Sequence, residues 1–444
     1  MSTLATAVLA VVPLTATPAA AGPPTWARVA GSSGNDAASF VAVDPGTGDV
    51  HVVGVAQNPA DNYDDLFLVS YQRSGAPLPT RVWDAPGTTP SAERPAGSAV
   101  DPATGTLYVA LTTYPDGADP NGVLLSFRRD GRLNWVRVVD QPDGALIELS
   151  DLAHDPVTGN VYLSGHASKL DAAARAMTIA YDSEGRLLWQ RTVGDGRSYA
   201  YTDTASVDPA RGIVYTAGYG RGLVLLWAYS AAGEPLWSAS AEAAEADELP
   251  GMALDRRSGT VFLRGTPADT GQGYFISAFS PSGDSLWRRL EDSGAGRSSA
   301  MDVDSRSGTV FVSRRLEAAS GDGDIETRGY AATTGAPRWR QRYAGPAHSD
   351  DFSGVLTVDS KRGVLYVTGS THGSGLPENG AAITVAYSVS GQQLRVDTYA
   401  GENGVRPAGA AVDPIRGLLA VTGTHYVGLA GSDDVSTLAY PPAR

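Results

Sequence analysis

Eight copies of one sequence pattern predict an all-β fold, an eight-bladed β-propeller of four-stranded antiparallel blades. In each copy a Gly follows an Asp at the fourth position, and successive copies begin 47 to 57 residues apart, a period typical of propeller blades. The chain ends carry complementary fragments of one copy, which predicts a closed ring. The eight pairs are Asp44/Gly48, Asp101/Gly105, Asp155/Gly159, Asp208/Gly212, Asp255/Gly259, Asp304/Gly308, Asp359/Gly363 and Asp413/Gly417.

The Asp-to-Gly segment predicts a tight hairpin turn between the first and second strands of each blade. Asp can accept a hydrogen bond from the backbone two residues further on, and Gly can adopt the positive φ that closes the turn. The two flanking stretches are then antiparallel strands. The second strand, "VLYVTG" after Gly363, is apolar on both faces, so we expect it to be buried on both faces.

The third strand of each copy ends near an aromatic residue: Tyr71, Phe127, Tyr181, Tyr229, Phe279, Tyr330, Tyr387 and Tyr440. A second Gly follows in seven copies and leads into the fourth strand, which carries Trp135, Trp189, Trp237, Trp287 or Trp339 in five of them. We interpret each Trp as filling the space between neighbouring blades, with burial stabilising by roughly 1.5–3 kcal/mol. Arginines lie two residues further on, and we interpret them as protection of the outer strand edge: Arg28, Arg81, Arg137, Arg191 and Arg289.

The eighth copy ends at "STLAYPPAR" without a fourth strand, whereas the N-terminal "TWARVAG" resembles the fourth strand "LWQRTVG". We therefore expect an N-terminal strand to complete the last blade, giving one propeller over residues 22–444. With no open edge at the seam, we expect a monomer.

Composition limits the function classes. A formal charge of −14 with only two lysines opposes binding to a nucleic-acid backbone. The absence of cysteine excludes disulfides, thiolate zinc sites and a catalytic cysteine. Residues 1–21 combine an apolar run with small residues before Gly22, which predicts a signal peptide and a secreted or extracytoplasmic protein. No later segment resembles a membrane span.

The stretches "GSSGNDAASFVAVDPGTGDVHVVG" and "AGPAHSDDFSGVLTVDSKRGVLYVTGST" resemble the secreted bacterial β-propeller repeat family. In that family a Gly-rich turn containing Asp precedes a hairpin of this kind. The "GRLLW" elements also resemble the blades of quinoprotein-like propellers and of outer-membrane assembly factors. Neither resemblance implies a catalytic residue here, and without a cysteine pair the chain departs from the quinoprotein alcohol dehydrogenases, so no quinone cofactor is expected.

Variation in length is concentrated on one face, in the loops between the second and third strands, where propellers usually carry their functional residues. These loops are acidic. Oxygen ligands on such loops suit Ca²⁺, so we predict calcium binding at Asp116, Asp119, Asn121, Asp322 and Asp324. Solvated turn residues are the alternative interpretation.

Further candidates on this face are acidic residues eight positions before the hairpin Asp, and histidines that follow a second strand. The acidic residues are Asp36, Glu93, Asp247 and Asp351, and we interpret them as a repeated structural cap. The histidines are His166, His372 and His425.

No nucleophile elbow and no H-E-x-x-H motif occurs in the chain. The leading functional hypothesis is therefore an exported, non-catalytic propeller that binds a protein or glycan partner through the loop face. The alternative is a carbohydrate-active hydrolase or lyase that uses carboxylates at the channel mouth.

Overall fold

The structure is a computed structural model that describes residues 23–32, 34–86, 89–139, 144–169, 172–194, 196–242, 251–267, 273–291, 298–317, 322–345, 350–373, 376–377, 380–427 and 432–443. Its strands form eight sheets, each of four antiparallel strands, arranged as the blades of a propeller. The predicted fold class is confirmed.

Blades 1 to 7 each take four consecutive strands, and blade 8 takes its outermost strand from the N-terminus. The strands of blades 1 to 4 are β2 (Asp36–Val43), β3 (Val50–Gln57), β4 (Asp64–Tyr71), β5 (Arg81–Trp83), β6 (Ser91–Val100), β7 (Leu107–Pro115), β8 (Asn121–Phe127), β9 (Leu133–Val138), β10 (Leu146–His154), β11 (Val161–Lys169), β12 (Ala172–Tyr181), β13 (Leu187–Val193), β14 (Tyr201–Asp208), β15 (Ile213–Gly220), β16 (Leu223–Ser230) and β17 (Pro235–Glu242). Those of blades 5 to 8 are β18 (Gly251–Asp255), β19 (Thr260–Gly265), β20 (Tyr274–Phe279), β21 (Ser285–Glu291), β22 (Ser298–Asp304), β23 (Thr309–Glu317), β24 (Gly323–Ala331), β25 (Pro337–Tyr343), β26 (Asp350–Asp359), β27 (Val364–His372), β28 (Ala381–Ser388), β29 (Gln393–Tyr399), β30 (Val405–Val412), β31 (Leu419–His425), β32 (Asp434–Tyr440) and β1 (Trp26–Ala30).

The ring is closed by strand pairing between the two ends of the chain. Strand β1 pairs antiparallel with β32, so that Trp26 lies opposite Ala439 and Ala30 lies opposite Val435. The first strand of each blade contacts the first strand of the next, and β30 of blade 8 contacts β2 of blade 1. The eight first strands therefore surround a central channel, and the predicted closure is confirmed.

The predicted hairpin turn recurs in all eight blades. At the first turn the Gly46 N–H donates to Asp44 Oδ1 at 2.7 Å, and the Gly48 N–H donates to the Asp44 carbonyl oxygen at 2.7 Å. Gly48 has a φ of 83°, which few other residues adopt. The hairpin Asp is buried in every blade, because its carboxylate accepts hydrogen bonds from the turn.

A β-bulge interrupts the first strand five residues before the hairpin Asp, at Ser39, Ala96, Ser150, Asp203, Ser299, Gly354 and Ala408. In five blades the bulge brings a first-strand carbonyl oxygen over a second-strand glycine. A Cβ at Gly369, for example, would lie well inside contact distance of the Phe352 carbonyl oxygen. This close approach explains why the second strand "VLYVTG" ends in Gly.

The fourth-strand tryptophans join neighbouring blades, as predicted, and each also donates a hydrogen bond across the gap. The indole N–H reaches a carbonyl oxygen in the turn between the third and fourth strands of the next blade, at 2.8 to 3.3 Å, for Trp26, Trp135, Trp189, Trp237, Trp287 and Trp339. The ring covers the Gly of that turn, where a Cβ on Gly75 would lie 2.6 Å from Trp26 Cγ.

The arginines of the fourth strands make contacts other than the predicted protection of the strand edge. The side-chain Nε donates to the carbonyl oxygen of the same turn Gly in the next blade for Arg28, Arg81, Arg137 and Arg191. Arg289 instead pairs with Glu291. Four of these guanidinium groups therefore fasten blade to blade, because the neighbouring turn offers a carbonyl oxygen that no strand uses.

The predicted signal peptide, residues 1–21, lies outside the described residues, so export stays a prediction. The described part of the chain contains no helix with the length and hydropathy of a membrane-spanning segment.

Candidate functional site

The two faces of the ring differ in what they carry. The hairpin turns lie on one face, which we call the hairpin face. The starts of the first strands and the ends of the second strands lie on the opposite face, which we call the loop face. His166 pairs with Glu148 and His372 pairs with Asp350 at this end of the blades, so these sequence-predicted residues do lie on the loop face.

The predicted acidic caps hold the connections that enter the first strands. Asp36 accepts hydrogen bonds from the backbone N–H and the hydroxyl of Ser32, and the Gly345 N–H donates to Asp351 Oδ2 at 2.6 Å. Burial raises the pKa of Asp36 above its ordinary value. These contacts support the cap interpretation for Asp36 and Asp351, whereas Asp247 lies outside the described residues.

The three predicted histidines lie in three different blades. The His166 ring meets Tyr201 edge to face at 4.7 Å, and the His372 ring meets Phe352 in the same way at 5.7 Å. His425 is buried and lies opposite Asp434 in the strand register. Within the described residues, none of the three belongs to a group of three or more acidic or histidine side chains within reach of one ion.

The residues predicted to bind calcium lie at two places, between β7 and the start of β8 in blade 2 and at the start of β24 in blade 6. Asp116 and Asp119 are exposed, and the Asn121 side-chain amide donates to the Asp119 carbonyl oxygen at 3.0 Å. In blade 6, Asp324 forms an ion pair with Arg342. Neither place brings three carboxylates together in the described structure, and calcium binding there, which also involves Asp322, stays a prediction.

A group of aromatic side chains lies on the loop face of blades 2, 3 and 4. We call it the aromatic patch, and it consists of Tyr114, His166, Tyr199 and Tyr201. Tyr199 is 60% exposed, and its ring is nearly parallel to that of Tyr201, with an interplanar angle of 3° and centroids 6.0 Å apart. Tyr201 in turn contacts His166. The patch thus presents the Tyr199 ring to solvent just before the start of β14.

Two charged side chains surround Tyr114, the member of the patch that lies in blade 2. The Arg94 guanidinium lies 4.8 Å from the centroid of the Tyr114 ring. Glu148 is hydrogen-bonded to Tyr114, and its Oε2 lies 3.9 Å from His166 Nε2. Glu148 therefore bridges the aromatic groups of blades 2 and 3.

Burial sets the protonation of the patch. It lowers the pKa of His166, outweighing the opposite effect of Glu148, so this imidazole is neutral at pH 7. Burial and the negative charge of Glu148 raise the pKa of Tyr114, and burial and Tyr199 raise that of Tyr201. The phenols therefore keep their protons, and the patch offers neutral rings with hydroxyl groups at their edges.

A second feature of the loop face is a group of three carboxylates, which we call the carboxylate cluster: Asp65, Asp84 and Glu93. One oxygen from each lies within 4.8 Å of the other two. Asp65 and Glu93 are buried and Asp84 is exposed. Burial, with the charges of the neighbouring aspartates, raises the pKa of Glu93 to about 8 and that of Asp65 to about 6.

Two cavities lie away from these groups. One of about 410 Å³ occupies the hairpin end of the central channel, with His154 and Arg256 on its wall. Another of about 370 Å³ lies between the outer strands of blades 5 and 6. Its carboxylate, Glu291, is ion-paired with Arg289 and Arg328. Neither cavity therefore holds two unpaired carboxylates.

Comparison with solved structures identifies distant relatives of the fold. The quinohemoprotein alcohol dehydrogenase from Comamonas testosteroni is 11% identical with a TM-score of 0.59, and the match covers 95% of this chain and 77% of that one. A europium-containing methanol dehydrogenase is 11% identical with a TM-score of 0.57, covering 94% of this chain and 93% of that one. No protein-family model and no curated protein sequence matches the chain.

At such low identity these matches show the fold alone. They support the resemblance of the blades to those of quinoprotein propellers.

Sequence reasoning found some of these residues and missed others. His166 and Glu93 were predicted on the loop face, whereas Tyr114, Tyr199 and Asp84 were not. Asp84 follows the short fourth strand of blade 1, where Pro79 replaces the usual Trp. In the antiparallel pairing of β4 and β5, Leu66 lies opposite Trp83. The next pair in this register is Asp65 and Asp84.

Proposed function

We propose that this protein is an exported, non-catalytic propeller that binds a protein or glycan partner at the aromatic patch. The observation that carries the proposal is the exposed ring of Tyr199, held parallel to Tyr201 on the loop face. Tyrosine supplies a large contact area at low conformational cost, and its hydroxyl remains available for hydrogen bonds. Sugar rings and apolar peptide side chains both pack on such a surface.

The polar groups around the patch would give the contact its specificity. Arg94 is exposed and can donate to a carboxylate or a hydroxyl group, while Glu148 can accept a hydrogen bond. Binding surfaces typically combine an aromatic centre with a few oriented polar groups of this kind. Because His166 lies in β11 of blade 3 and Tyr201 begins β14 of blade 4, the ring holds these two side chains in place before a partner arrives.

Export is part of the proposal and follows from the apolar segment before Gly22. The resemblance of the repeats to the secreted bacterial β-propeller repeat family supports the same location. A partner would then be found outside the cytoplasm, on a cell surface or in the surrounding matrix.

The test measures retention of the purified protein on cell-wall fractions and on a glycan array. The double variant Tyr199→Ala/Tyr201→Ala should lose binding by at least about tenfold, since two aromatic anchors of an interface carry much of its energy. Phe352→Ala is the matched control, because Phe352 is an exposed aromatic residue of the same face in blade 7. Equal binding by both variants and the wild type would contradict the proposal.

The alternative of a carbohydrate-active hydrolase or lyase has one observation in its favour, the raised pKa of Glu93 in the carboxylate cluster. Glu93 has an exposed fraction of 0%, however, and a general acid must reach the glycosidic oxygen. We therefore favour binding. Conversion of an arrayed glycan that is abolished by Glu93→Gln would establish the enzyme instead.

A further inference from the structure

The carboxylate cluster joins two blades at the loop face. Leu66 of β4 pairs with Trp83 of β5, which places Asp84 directly opposite Asp65 in blade 1. Like charges in directly opposed positions destabilise a sheet. Glu93 approaches them from β6, the first strand of blade 2, so that three carboxylates meet where the two blades are in contact.

Glu93 is the most deeply buried member of the cluster. Its side chain has an exposed fraction of 0%, and its Oε1 accepts a hydrogen bond from the Ser91 hydroxyl at 2.7 Å. The Ala85 backbone N–H also donates to this carboxylate, while Oε2 is buried and accepts no hydrogen bond of regular geometry. A buried carboxylate oxygen in that position has lost its hydration without a full replacement.

The charges around the cluster increase this cost. Besides its own burial, Glu93 experiences the negative charges of Asp65 and Asp84. Asp65 experiences those of Asp84, Asp61 and Asp64, and the Asn58 amide, which donates to Asp65 Oδ2 at 3.3 Å, offsets them only in part. A bound cation would replace the lost hydration of Glu93 Oε2 and neutralise the repulsion between the aspartates.

We propose that Asp65, Asp84 and Glu93 bind one Ca²⁺ ion. The ligands are carboxylate oxygens without a histidine or cysteine, which favours a hard cation. Two oxygens bound to one ion can be no further apart than twice the metal–oxygen distance, about 5 Å for Ca²⁺ and about 4 Å for Mg²⁺. The three oxygens all lie within 4.8 Å of one another, so one Ca²⁺ ion can reach all of them, and its flexible coordination accepts an irregular set of ligands more readily than the strict octahedron of Mg²⁺ does.

The exposure of Asp84 gives the ion a path from solvent and leaves room for water ligands. Three carboxylates provide three to six oxygens, and water completes the six to eight that Ca²⁺ takes. This site differs from the one that the sequence predicts at Asp116 and Asp119, and it does not depend on the binding function proposed for the aromatic patch.

The experiment is calcium titration of the full-length protein by isothermal calorimetry after removal of metals with a chelator. We expect the wild type to bind Ca²⁺ at this cluster and Glu93→Gln to bind it there at least about tenfold more weakly, because loss of a direct ligand should exceed the loss found for outer groups. The matched control, Asp116→Asn/Asp119→Asn, removes the same kind of charge from an exposed loop and should leave binding at the cluster unchanged.

Two further measurements keep the test decisive. Asp84→Asn changes an exposed residue, so its fold is not at risk, and it should also weaken binding. In chelator, Glu93→Gln should unfold no earlier than the wild type, which shows that its loss of calcium is not a loss of structure. Wild-type protein that binds no Ca²⁺, or a Glu93→Gln variant that binds it unchanged, would overturn the proposal. Binding of Mg²⁺ as tight as that of Ca²⁺ would contradict the choice of ion.

Discussion

Replacing Trp26 by Ala should destabilise the whole ring, because this side chain closes it. Trp26 is 6% exposed, its indole N–H donates to the Arg73 carbonyl oxygen at 2.9 Å, and its ring lies 5.5 Å from that of Tyr71. These contacts join blade 8 to blade 1 through β1, which is held in blade 8 by its pairing with β32. Truncation of a buried Trp costs about 3–5 kcal/mol, and the Arg73 carbonyl loses its partner as well.

The assay is equilibrium unfolding in urea, followed by far-ultraviolet circular dichroism and checked for reversibility. Trp26→Phe separates the two contributions, since it keeps most of the apolar contact and loses only the hydrogen bond, at a cost of about 1–3 kcal/mol. Val29→Ala is the control on the same strand, because Val29 is 46% exposed and should change stability by less than about 0.5 kcal/mol. A Trp26→Ala variant no less stable than Val29→Ala would refute closure by this strand.

Three other perturbations test the interior by the same unfolding assay. Gly369→Ala should cost about 1–3 kcal/mol, because the added Cβ meets the Phe352 carbonyl oxygen, and an unchanged transition would contradict the bulge geometry. Glu326→Gln should cost about 3–5 kcal/mol, because it removes the carboxylate that pairs with the buried Arg314 at 2.8 Å; a loss below about 1 kcal/mol would show that the pair is unimportant. The folded-state pKa of Glu93, about 8, lies above its unfolded value, so in chelator its stabilising contribution is present at low pH and is lost as the pH rises through 8. Glu93→Gln should therefore show a smaller loss of stability between pH 6 and 9 than the wild type, and parallel pH profiles would count against the raised pKa.

The sequence predicted those parts of the fold that depend on neighbouring residues. The hairpin turn is local, since Asp44 contacts residues two and four positions away, and the same chemistry repeats eight times. For the contacts between blades, the sequence predicted that the tryptophans are buried there but not which atoms they contact. The burial of Trp189 was expected, but its hydrogen bond to Ala231 depends on a turn 42 residues away. Arg191 was assigned to edge protection for the same reason, because its acceptor belongs to the next blade.

The candidate site was less accessible to sequence reasoning. The aromatic patch combines residues of three blades, and Tyr199 lies in a connection that follows no repeat. The carboxylate cluster combines residues of a third strand, the end of a fourth strand and a first strand. Its members therefore form no recognisable sequence motif. Glu93 was recognised as one of a recurring set, but the burial of its Oε2 beside two other carboxylates is visible only in the folded structure.

The central claim is that a partner binds the aromatic patch on the loop face. Hydrogen–deuterium exchange of the protein, with and without the glycan or protein captured in the binding assay, tests it most directly. The account predicts slower exchange on binding in residues 144–169 and 196–204, with no change in the hairpin turn at residues 208–212. Protection confined to the hairpin turns or to the outer strands would contradict it.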